Sequence, residues 1–189
     1  NMEGMTGIYT RHFYNNLLSI DNINYLEVGT WKGSSVCSAM FNNKSNVVAI
    51  DNFKQHNGPK TEFYKNFNKY KGNNDALFIE NDYKNVIFDK NKKFNIYLYD
   101  GDHSYESTYN SLKYFKNNLE RFFIFIMDDW NWETIRNATY NSIKDLEYKI
   151  IYKKEVITIK APTDTSHKID NPKKYGWHNG IFICVLEKL

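Results

Sequence analysis

The sequence of 189 residues lacks the features that mark disulfide-stabilised secreted proteins and membrane proteins. It contains two cysteines, Cys37 and Cys184, without metal-ligand spacing, which favours two reduced, buried thiols. No apolar run approaches the ~18 residues of a membrane span. The N-terminal residues show no charged-then-apolar signal-peptide pattern. We therefore predict a cytoplasmic location and no membrane partner.

The chain also has little excess charge of either sign. Its 25 basic and 22 acidic residues give a formal net charge of +3, and the lysines are scattered along the sequence. A nucleic-acid-binding surface needs clustered basic residues, so we predict no nucleic-acid partner. Hydrophobic residues make up 41% of the chain, which is enough for one sizeable core. We predict a single domain over residues 1–189.

Apolar and turn-forming segments alternate in a regular order along the chain. Strands alternating with helices predict an α/β fold, a Rossmann-like doubly wound sheet with helices on both faces. The sheet is predicted to be seven-stranded and mostly parallel, and the last two strands, with no helix between them, form an antiparallel edge hairpin. The predicted strands are Asn24–Val28, Asn46–Ile50, Ala76–Glu80, Phe94–Tyr99, Phe122–Met127, Tyr148–Ile159 and Gly180–Leu189. The predicted helices are Gly7–Leu18, Ser34–Phe41, Thr61–Tyr70, Tyr83–Phe88, Tyr105–Leu119 and Trp132–Leu146.

Acidic residues stand where the predicted parallel strands end. Ligands of such sheets lie outside the carboxyl ends of the strands, so these residues are the first candidates for a binding site. The shared acidic character indicates a ligand or ion that prefers carboxylates. The residues are Glu27, Asp51, Glu80, Asp82, Asp100, Asp128 and Asp129.

The segment YLEVGTWKGSS reads as a strand, a glycine-containing turn and the start of a helix. Gly29 permits a tight turn and Gly33 permits close backbone approach. Ser34 and Ser35 present hydroxyls and amides where a helix begins, which favours a carboxylate or phosphate. The third glycine of the dinucleotide fingerprint is missing, which argues against an oxidoreductase. With Asp51 placed for ribose hydroxyls, the segment predicts a nucleoside-bearing cofactor that carries a carboxylate.

Two acidic clusters, in DGDHSYE and FIFIMDDW, follow the fourth and fifth predicted strands. A β-α-β crossover places such strands side by side or nearly so, ~5 Å apart when they are neighbours. Asp100, Asp128 and Asp129 would then lie near one point, where their charges would repel unless a cation were present. Oxygen ligands suit Mg²⁺, with Mn²⁺ or Ca²⁺ also possible. The purely structural alternative is a turn followed by a helix cap.

The ordered motifs EVGTWKGSS, AID, DGDHSYE and IMDDW resemble those of class I S-adenosylmethionine-dependent methyltransferases. The resemblance runs from Tyr25 to Leu146. It is strongest to the metal-dependent O-methyltransferases of the catechol and caffeoyl-CoA type and of the macrolide- and aminocoumarin-sugar type. It implies transfer of a methyl group from S-adenosylmethionine to a hydroxyl of a small molecule or sugar, assisted by a divalent metal, with Mg²⁺ expected.

The resemblance also implies which residues bind the cofactor. The turn from Gly29 to Gly33 would wrap its methionine part, and Ser35 would bind its carboxylate. Asp51 would bind both ribose hydroxyls, and the loop at Asp82 would lie near the adenine. The implied cofactor-binding residues are Glu27, Gly29, Thr30, Trp31, Gly33, Ser34, Ser35, Asp51, Asn52, Asp82 and Asp100.

The same resemblance makes Asp100, Asp128 and Asp129 the metal ligands. Catechol-type enzymes carry a lysine base three residues after the first metal acid, and here that offset holds His103. A histidine can serve as base near neutral pH, and it could instead bind the metal or contact the cofactor. Asp102 is the second catalytic candidate, as a base or as a residue that orients His103.

Several points stay open at the level of sequence. A glycan or sugar hydroxyl is the first choice of acceptor and a phenol the second, and a protein that binds the cofactor without turnover is the alternative function. A partner subunit could complete the site, so a homodimer is a possible assembly. Trp130 and Trp132 could form an acceptor pocket or pack on the sheet. Residues Trp177–Asn179 could line the pocket but are expected to fill the end of the hairpin, and Lys32 is expected to point to solvent.

Overall fold

A computed structural model describes residues 2–158 and 176–189 of the chain. Its strands are β1 (Asn24–Val28), β2 (Asn46–Asp51), β3 (Asp75–Glu80), β4 (Phe94–Tyr99), β5 (Leu119–Asp128), β6 (Lys149–Val156) and β7 (Ile181–Glu187). Its helices are α1 (Ile8–Leu18), α2 (Ser34–Met40), α3 (Lys60–Tyr70), α4 (Tyr105–Phe115) and α5 (Glu133–Asp145), with a 3-10 helix at Tyr83–Asn85.

The seven strands form one sheet in the order β3-β2-β1-β4-β5-β7-β6. The first five strands are parallel, and β7 runs antiparallel to both β5 and β6. This arrangement confirms the predicted mostly parallel sheet with its antiparallel edge pair. The sheet order reverses between β1 and β4, and such a switch point is where open α/β sheets bind ligands.

Apolar side chains fill both faces of the sheet. Helices α1, α2 and α3 cover one face, where Tyr14, Val36 and Phe63 belong to one buried cluster. Helices α4 and α5 cover the other face, where Leu112 and Ile135 belong to a second cluster. Burial on both sides explains why the central strands read as nearly continuous apolar runs.

The largest differences from the predicted boundaries lie between α4 and β5. The helix ends at Phe115 and the strand already begins at Leu119. The turn between them is held by Asn118, whose side-chain amide donates hydrogen bonds of 2.9 Å to the carbonyls of Asp89 and Lys92. Both bonds reach the loop before β4, so a tertiary contact holds the turn at which α4 ends.

One other predicted helix is shorter than expected, and one predicted loop lies largely outside the described residues. The predicted helix at Tyr83–Phe88 is only the 3-10 turn, and its Asp82 cap accepts a hydrogen bond from the Lys84 amide. Most of the predicted loop between the last two strands lies outside the described residues. Within the ranges that the structure describes, no helix has the length and apolar composition that crossing a membrane requires.

Candidate active site

A cavity of about 1020 Å³ opens at the carboxyl ends of the parallel strands. Its size is at the upper end of the range for small-molecule sites. Of the predicted site residues, those that line it are Gly29, Thr30, Trp31, Asp51, Asn52, Asp82, Asp100, Asp102, His103, Asp128 and Asp129. The predicted residues that do not line it are Glu27, Gly33, Ser34 and Ser35.

The glycine turn after β1 is pressed against the end of β4. Gly29 has a φ of +87°, and a Cβ at this position would lie 1.9 Å from the carbonyl oxygen of Asp100. Only glycine allows both the left-handed conformation and this close backbone approach. The turn is therefore fixed directly beside the first residue of the acidic cluster.

The Gly29→Ala variant is expected to lose about 3 kcal/mol or more of unfolding free energy, because positive-φ strain and a backbone clash add together. The matched control is Gly72→Ala, which has a φ of +50° and a nearest neighbour at 3.9 Å. This control carries the strain without the clash and should lose only about 1 kcal/mol. Denaturant titration measures both values. Equal losses would show that the backbone at Asp100 can move away from the added Cβ without further cost.

Asp51 ties the glycine turn to the end of β2. Its Oδ2 accepts hydrogen bonds from the amides of Thr30 at 2.7 Å and Trp31 at 2.9 Å. Its Oδ1 accepts one from the Phe53 amide at 2.7 Å. The carboxylate is thus held rigidly in the cavity wall, and its predicted contact with ribose hydroxyls stays a prediction.

Glu27 and Ser35 face each other in the interior of the protein. The carboxyl group of Glu27 is fully buried and accepts hydrogen bonds from the hydroxyls of Tyr25 and Ser35. Burial raises the pKa of Glu27 to about 7, and these hydrogen bonds oppose that rise. The predicted cofactor contacts of both residues remain predictions.

The raised pKa of Glu27 makes stability depend on pH. The carboxyl group titrates near 4.5 when unfolded and at about 7 when folded, so its contribution is fully present below pH 4.5 and is lost as pH rises to 7. We expect the fall in unfolding free energy between pH 5 and pH 8 to be about 2 kcal/mol smaller in Glu27→Gln than in wild type. Glu62→Gln, on the exposed side of α3, should leave the pH dependence unchanged. Identical pH dependence in Glu27→Gln would contradict this assignment.

Two of the three predicted metal ligands converge with the predicted base. Strands β4 and β5 pair in parallel with Tyr99 opposite Met127, so their acidic ends are neighbours. Ligand atoms of Asp100, His103 and Asp129 all lie within 4.8 Å of one another. Nε2 of His103 is 3.0 Å from Oδ2 of Asp129 and 3.7 Å from Oδ1 of Asp100.

Asp128 stands next to this three-residue group rather than in it. Its carboxyl group lines the cavity close enough to Asp100 for the charge of that residue to raise its pKa. Asp129 has a φ of +52°, so the backbone changes direction between the two acids. Asp129 thereby faces His103, and the metal-ligand role of Asp128 stays a prediction.

The carboxyl groups of Asp100, Asp128 and Asp129 lie close together with few positive charges near them. Burial, followed by the charge of Asp129, raises the pKa of Asp100. Burial and the charge of Asp100 raise the pKa of Asp128 in the same way. Across residues 2–158 and 176–189, His103 is the only basic side chain with a nitrogen within 4.0 Å of a carboxylate oxygen of Asp100 or Asp129. A divalent cation would offset this repulsion, so the donor set fits a metal.

Asp102 stabilises the start of α4 and does not belong to the group formed by Asp100, His103 and Asp129. Its carboxylate accepts hydrogen bonds from the hydroxyls of Ser104 at 2.9 Å and Ser107 at 2.7 Å, at the start of α4. The hydrogen bond from Ser107 is the largest of the effects that lower the pKa of Asp102. A carboxylate with a lowered pKa is a weaker base, which leaves His103 as the stronger candidate.

His103 is oriented by an aromatic neighbour. Its ring meets that of Trp132 edge to face, with centroids 5.1 Å apart. Nε2 is buried and lies 3.0 Å from Oδ2 of Asp129, with no hydrogen bond formed within the part of the chain that the structure describes. A proton or a cation shared between the two atoms would satisfy both.

The two tryptophans after the acidic pair have different environments. Trp130 is fully buried and stacks on Phe182 with ring centroids 4.2 Å apart, so it packs on the sheet. Trp132 is 44% exposed and lines the cavity beside His103. Only the second of them can form part of an acceptor pocket.

The turn before β7 also reaches the cavity. Trp177 packs against Tyr9 and Phe13, as expected for a residue that fills space. His178 and Asn179 line the cavity, so the expectation that the whole segment is structural was wrong. The turn lies at the cavity because β7 pairs with β5, which places the residues before β7 beside the end of β5 at Asp128.

Sequence patterns gave no signal for several other residues of the cavity wall. Met5 comes from the segment before α1, and Asn131 and Thr158 come from the loops after β5 and β6. The side chain of Asn131 donates a hydrogen bond of 2.9 Å to the hydroxyl of Thr158 and accepts one of 2.9 Å from its amide. These residues belong to no motif, because tertiary packing alone brings them to the site.

Comparison with known proteins identifies the family and the fold of the chain. The sequence pattern of a family described as "Methyltransferase domain" matches residues 26–130, which is more than half of the chain. No curated protein sequence matches the chain significantly. Solved structures that share the fold include TrmN from Thermus thermophilus, an O-methyltransferase from Bacillus cereus in complex with SAH, and an rRNA methylase from Streptococcus thermophilus.

The structural likeness is broad and the sequence identity is low. The chain matches TrmN with a TM-score of 0.60 and 13% identity, over 95% of this chain and 48% of TrmN. For the Bacillus cereus enzyme the values are 0.61 and 12%, over 94% and 80% of the two chains. For the rRNA methylase they are 0.56 and 13%, over 94% and 93%. The chain thus spans about half the length of TrmN, and it belongs to the methyltransferase-domain family with the fold of class I S-adenosylmethionine-dependent methyltransferases.

Proposed function

We propose that this chain transfers a methyl group from S-adenosylmethionine to a hydroxyl of a small molecule or sugar. Asp100 and Asp129 would hold a divalent cation, and His103 would act as general base. The observation that carries the proposal is the convergence of these three side chains in the cavity that also contains the glycine turn and Asp51. Donor and acceptor can therefore meet within one cavity.

The donor half of the cavity has groups suited to a nucleoside. Asp51 offers carboxylate oxygens to ribose hydroxyls, and Asn52 and Asp82 continue the polar wall beyond it. Gly29 lies in the wall of this half, where its missing side chain lets the turn pack against the end of β4. S-adenosylmethionine bound there would supply an electrophilic methyl group. The SAH-bound Bacillus cereus neighbour of the same fold supports this choice of cofactor.

The acceptor half is where the acidic group and His103 lie. A divalent cation held by Asp100 and Asp129 would lower the pKa of an acceptor hydroxyl and fix its oxygen. Oxygen ligands suit Mg²⁺, and the nearby imidazole makes Mn²⁺ equally suitable. Trp132 offers a flat apolar surface beside the reacting group.

His103 would take the proton from the acceptor hydroxyl at Nε2. The nitrogen lies 3.0 Å from Oδ2 of Asp129, so the imidazolium formed would be stabilised by that carboxylate. The edge contact with Trp132 restricts the ring to this position. Proton removal and methyl transfer then occur in one orientation of the acceptor.

Calorimetric titration and product analysis test the proposal together. S-adenosylhomocysteine is titrated into protein kept in EDTA, and a panel of sugars, phenols and an RNA hairpin follows with and without Mg²⁺ or Mn²⁺. We expect cofactor binding without metal, and acceptor binding and methylation only with metal. Methylation of RNA alone would contradict the small-molecule acceptor. Cofactor binding without methylation of any compound would favour a binding protein without turnover.

A further inference from the structure

The residues before α1 form a segment that crosses the start of α2. We call Met2–Thr6 the N-terminal strap. Arg11 on α1 holds it with three hydrogen bonds to backbone carbonyls: Nε to Thr6 at 2.9 Å, Nη1 to Met2 at 2.9 Å and Nη2 to Gly4 at 3.3 Å. The rigid planar guanidinium can bind three carbonyls at once, which a lysine cannot do in the same geometry.

The other side of the strap is fixed to the glycine turn. The hydroxyls of Thr6 and Ser34 share a hydrogen bond of 2.6 Å. A Cβ on Gly4 would lie 2.1 Å from Cβ of Ser34, so the backbone is pressed onto that side chain. Glu3 forms an ion pair of 2.7 Å with Lys32, whose side chain is only 17% exposed. The expectation that Lys32 points to solvent was therefore wrong.

This contact changes which residues form the cavity wall. Ser34 and Ser35, which begin α2, are buried and lie outside the lining. Met5 of the strap lines the cavity together with Gly29 and Thr30. The strap therefore supplies a wall where the helix start would otherwise be open. It also lies outside residues 26–130, which match the family pattern.

We propose that the N-terminal strap is part of the methyl-donor site, with Met5 as a contact residue and Arg11 as the residue that positions it. This inference rests on the proposed function, since it takes S-adenosylmethionine as the molecule in the cavity. The flexible, polarizable side chain of Met5 suits an apolar contact with the methionine part of the donor. Arg11 acts only through the strap, because each of its three guanidinium nitrogens donates to a strap carbonyl.

Without Arg11, the entropy lost on ordering the strap should reduce the free energy of donor binding. In the wild type the strap is held before the donor arrives, whereas in Arg11→Gln donor binding has to order it. We expect the Kd for S-adenosylhomocysteine to rise about tenfold in Arg11→Gln. The KM for S-adenosylmethionine should rise similarly while kcat changes less than about twofold, because the acceptor side is untouched.

Calorimetry on the full chain compares four variants. Met5→Ala should weaken binding of S-adenosylhomocysteine about fivefold, and Met5→Leu should restore it to within about twofold of wild type. Arg121→Gln is the matched control, since Arg121 is 72% exposed and pairs with Glu187 at the start of β5. It should bind like wild type. Met5→Ala keeps the test valid if Arg11→Gln unfolds, which the melting temperature of the ligand-free protein reports.

Two outcomes would overturn the inference in different ways. Wild-type affinity in both Arg11→Gln and Met5→Ala would show that the strap is only structural, and tighter binding would show that it obstructs the site. Either result would leave the proposed function standing. Absence of S-adenosylhomocysteine binding by the wild-type protein would instead overturn the proposed function, and the role of the strap with it.

Discussion

Replacing Asp129 with asparagine is expected to lower kcat for methyl transfer at least about a thousandfold and to weaken divalent-cation binding at least about tenfold. The substitution removes one of the two carboxylates that face His103. Asp129 has a φ of +52°, a conformation that asparagine adopts as readily as aspartate, so the backbone should stay in place. Turnover assays and calorimetric titration of Mn²⁺ measure the two effects.

Asp89→Asn is the matched control for this variant. Asp89 is exposed in the loop before β4, at the opposite end of the sheet, where it accepts a hydrogen bond from the Asn91 amide. The same change of charge there should leave both values unchanged. Full activity of Asp129→Asn would show that the acidic group is structural. Lost activity with unchanged Mn²⁺ affinity would exclude Asp129 as a metal ligand.

Replacing His103 with alanine is expected to lower kcat about a thousandfold, while the Kd for Mn²⁺ changes less than about threefold. The reason is that Nε2 would remove the acceptor proton, whereas Asp100 and Asp129 would still hold the cation. The removed ring leaves space beside Trp132, whose own side chain is exposed at the cavity. Added imidazole should therefore restore part of the rate.

His12→Ala is the control, because His12 is exposed on α1. It should show wild-type rates and no response to imidazole. A tenfold or greater rise in the Kd for Mn²⁺ in His103→Ala would make His103 a metal ligand rather than the base. An unchanged kcat would remove it from catalysis altogether.

The parts of the site that follow from strand order could be predicted from the sequence. The alternation of strands and helices indicates a parallel sheet, and the ends of neighbouring parallel strands meet at one edge. That reasoning places Asp100 close to Asp128 and Asp129. The pairing of Tyr99 with Met127 confirms that the two strand ends are neighbours. The glycine turn and Asp51 follow from the same logic, and the cavity contains both.

The parts that depend on backbone conformation and on packing could not be predicted. The positive φ of Asp129 selects it over Asp128 as the neighbour of His103, and no pattern in IMDDW shows that choice. Burial turns Ser35 toward Glu27 instead of the cavity. Met5 and His178 come from opposite ends of the chain, and only the folded structure brings them to the same cavity.

The most direct test of metal-assisted methyl transfer is the rate at which S-adenosylhomocysteine forms from S-adenosylmethionine with an acceptor that binds in calorimetry. The protein is first kept in EDTA and then titrated with Mg²⁺ or Mn²⁺. We expect the rate to rise at least about a hundredfold, to saturate with metal and to fall again when EDTA is added. An equal rate in EDTA, or no methylated product with metal present, would contradict a metal-assisted O-methyltransferase.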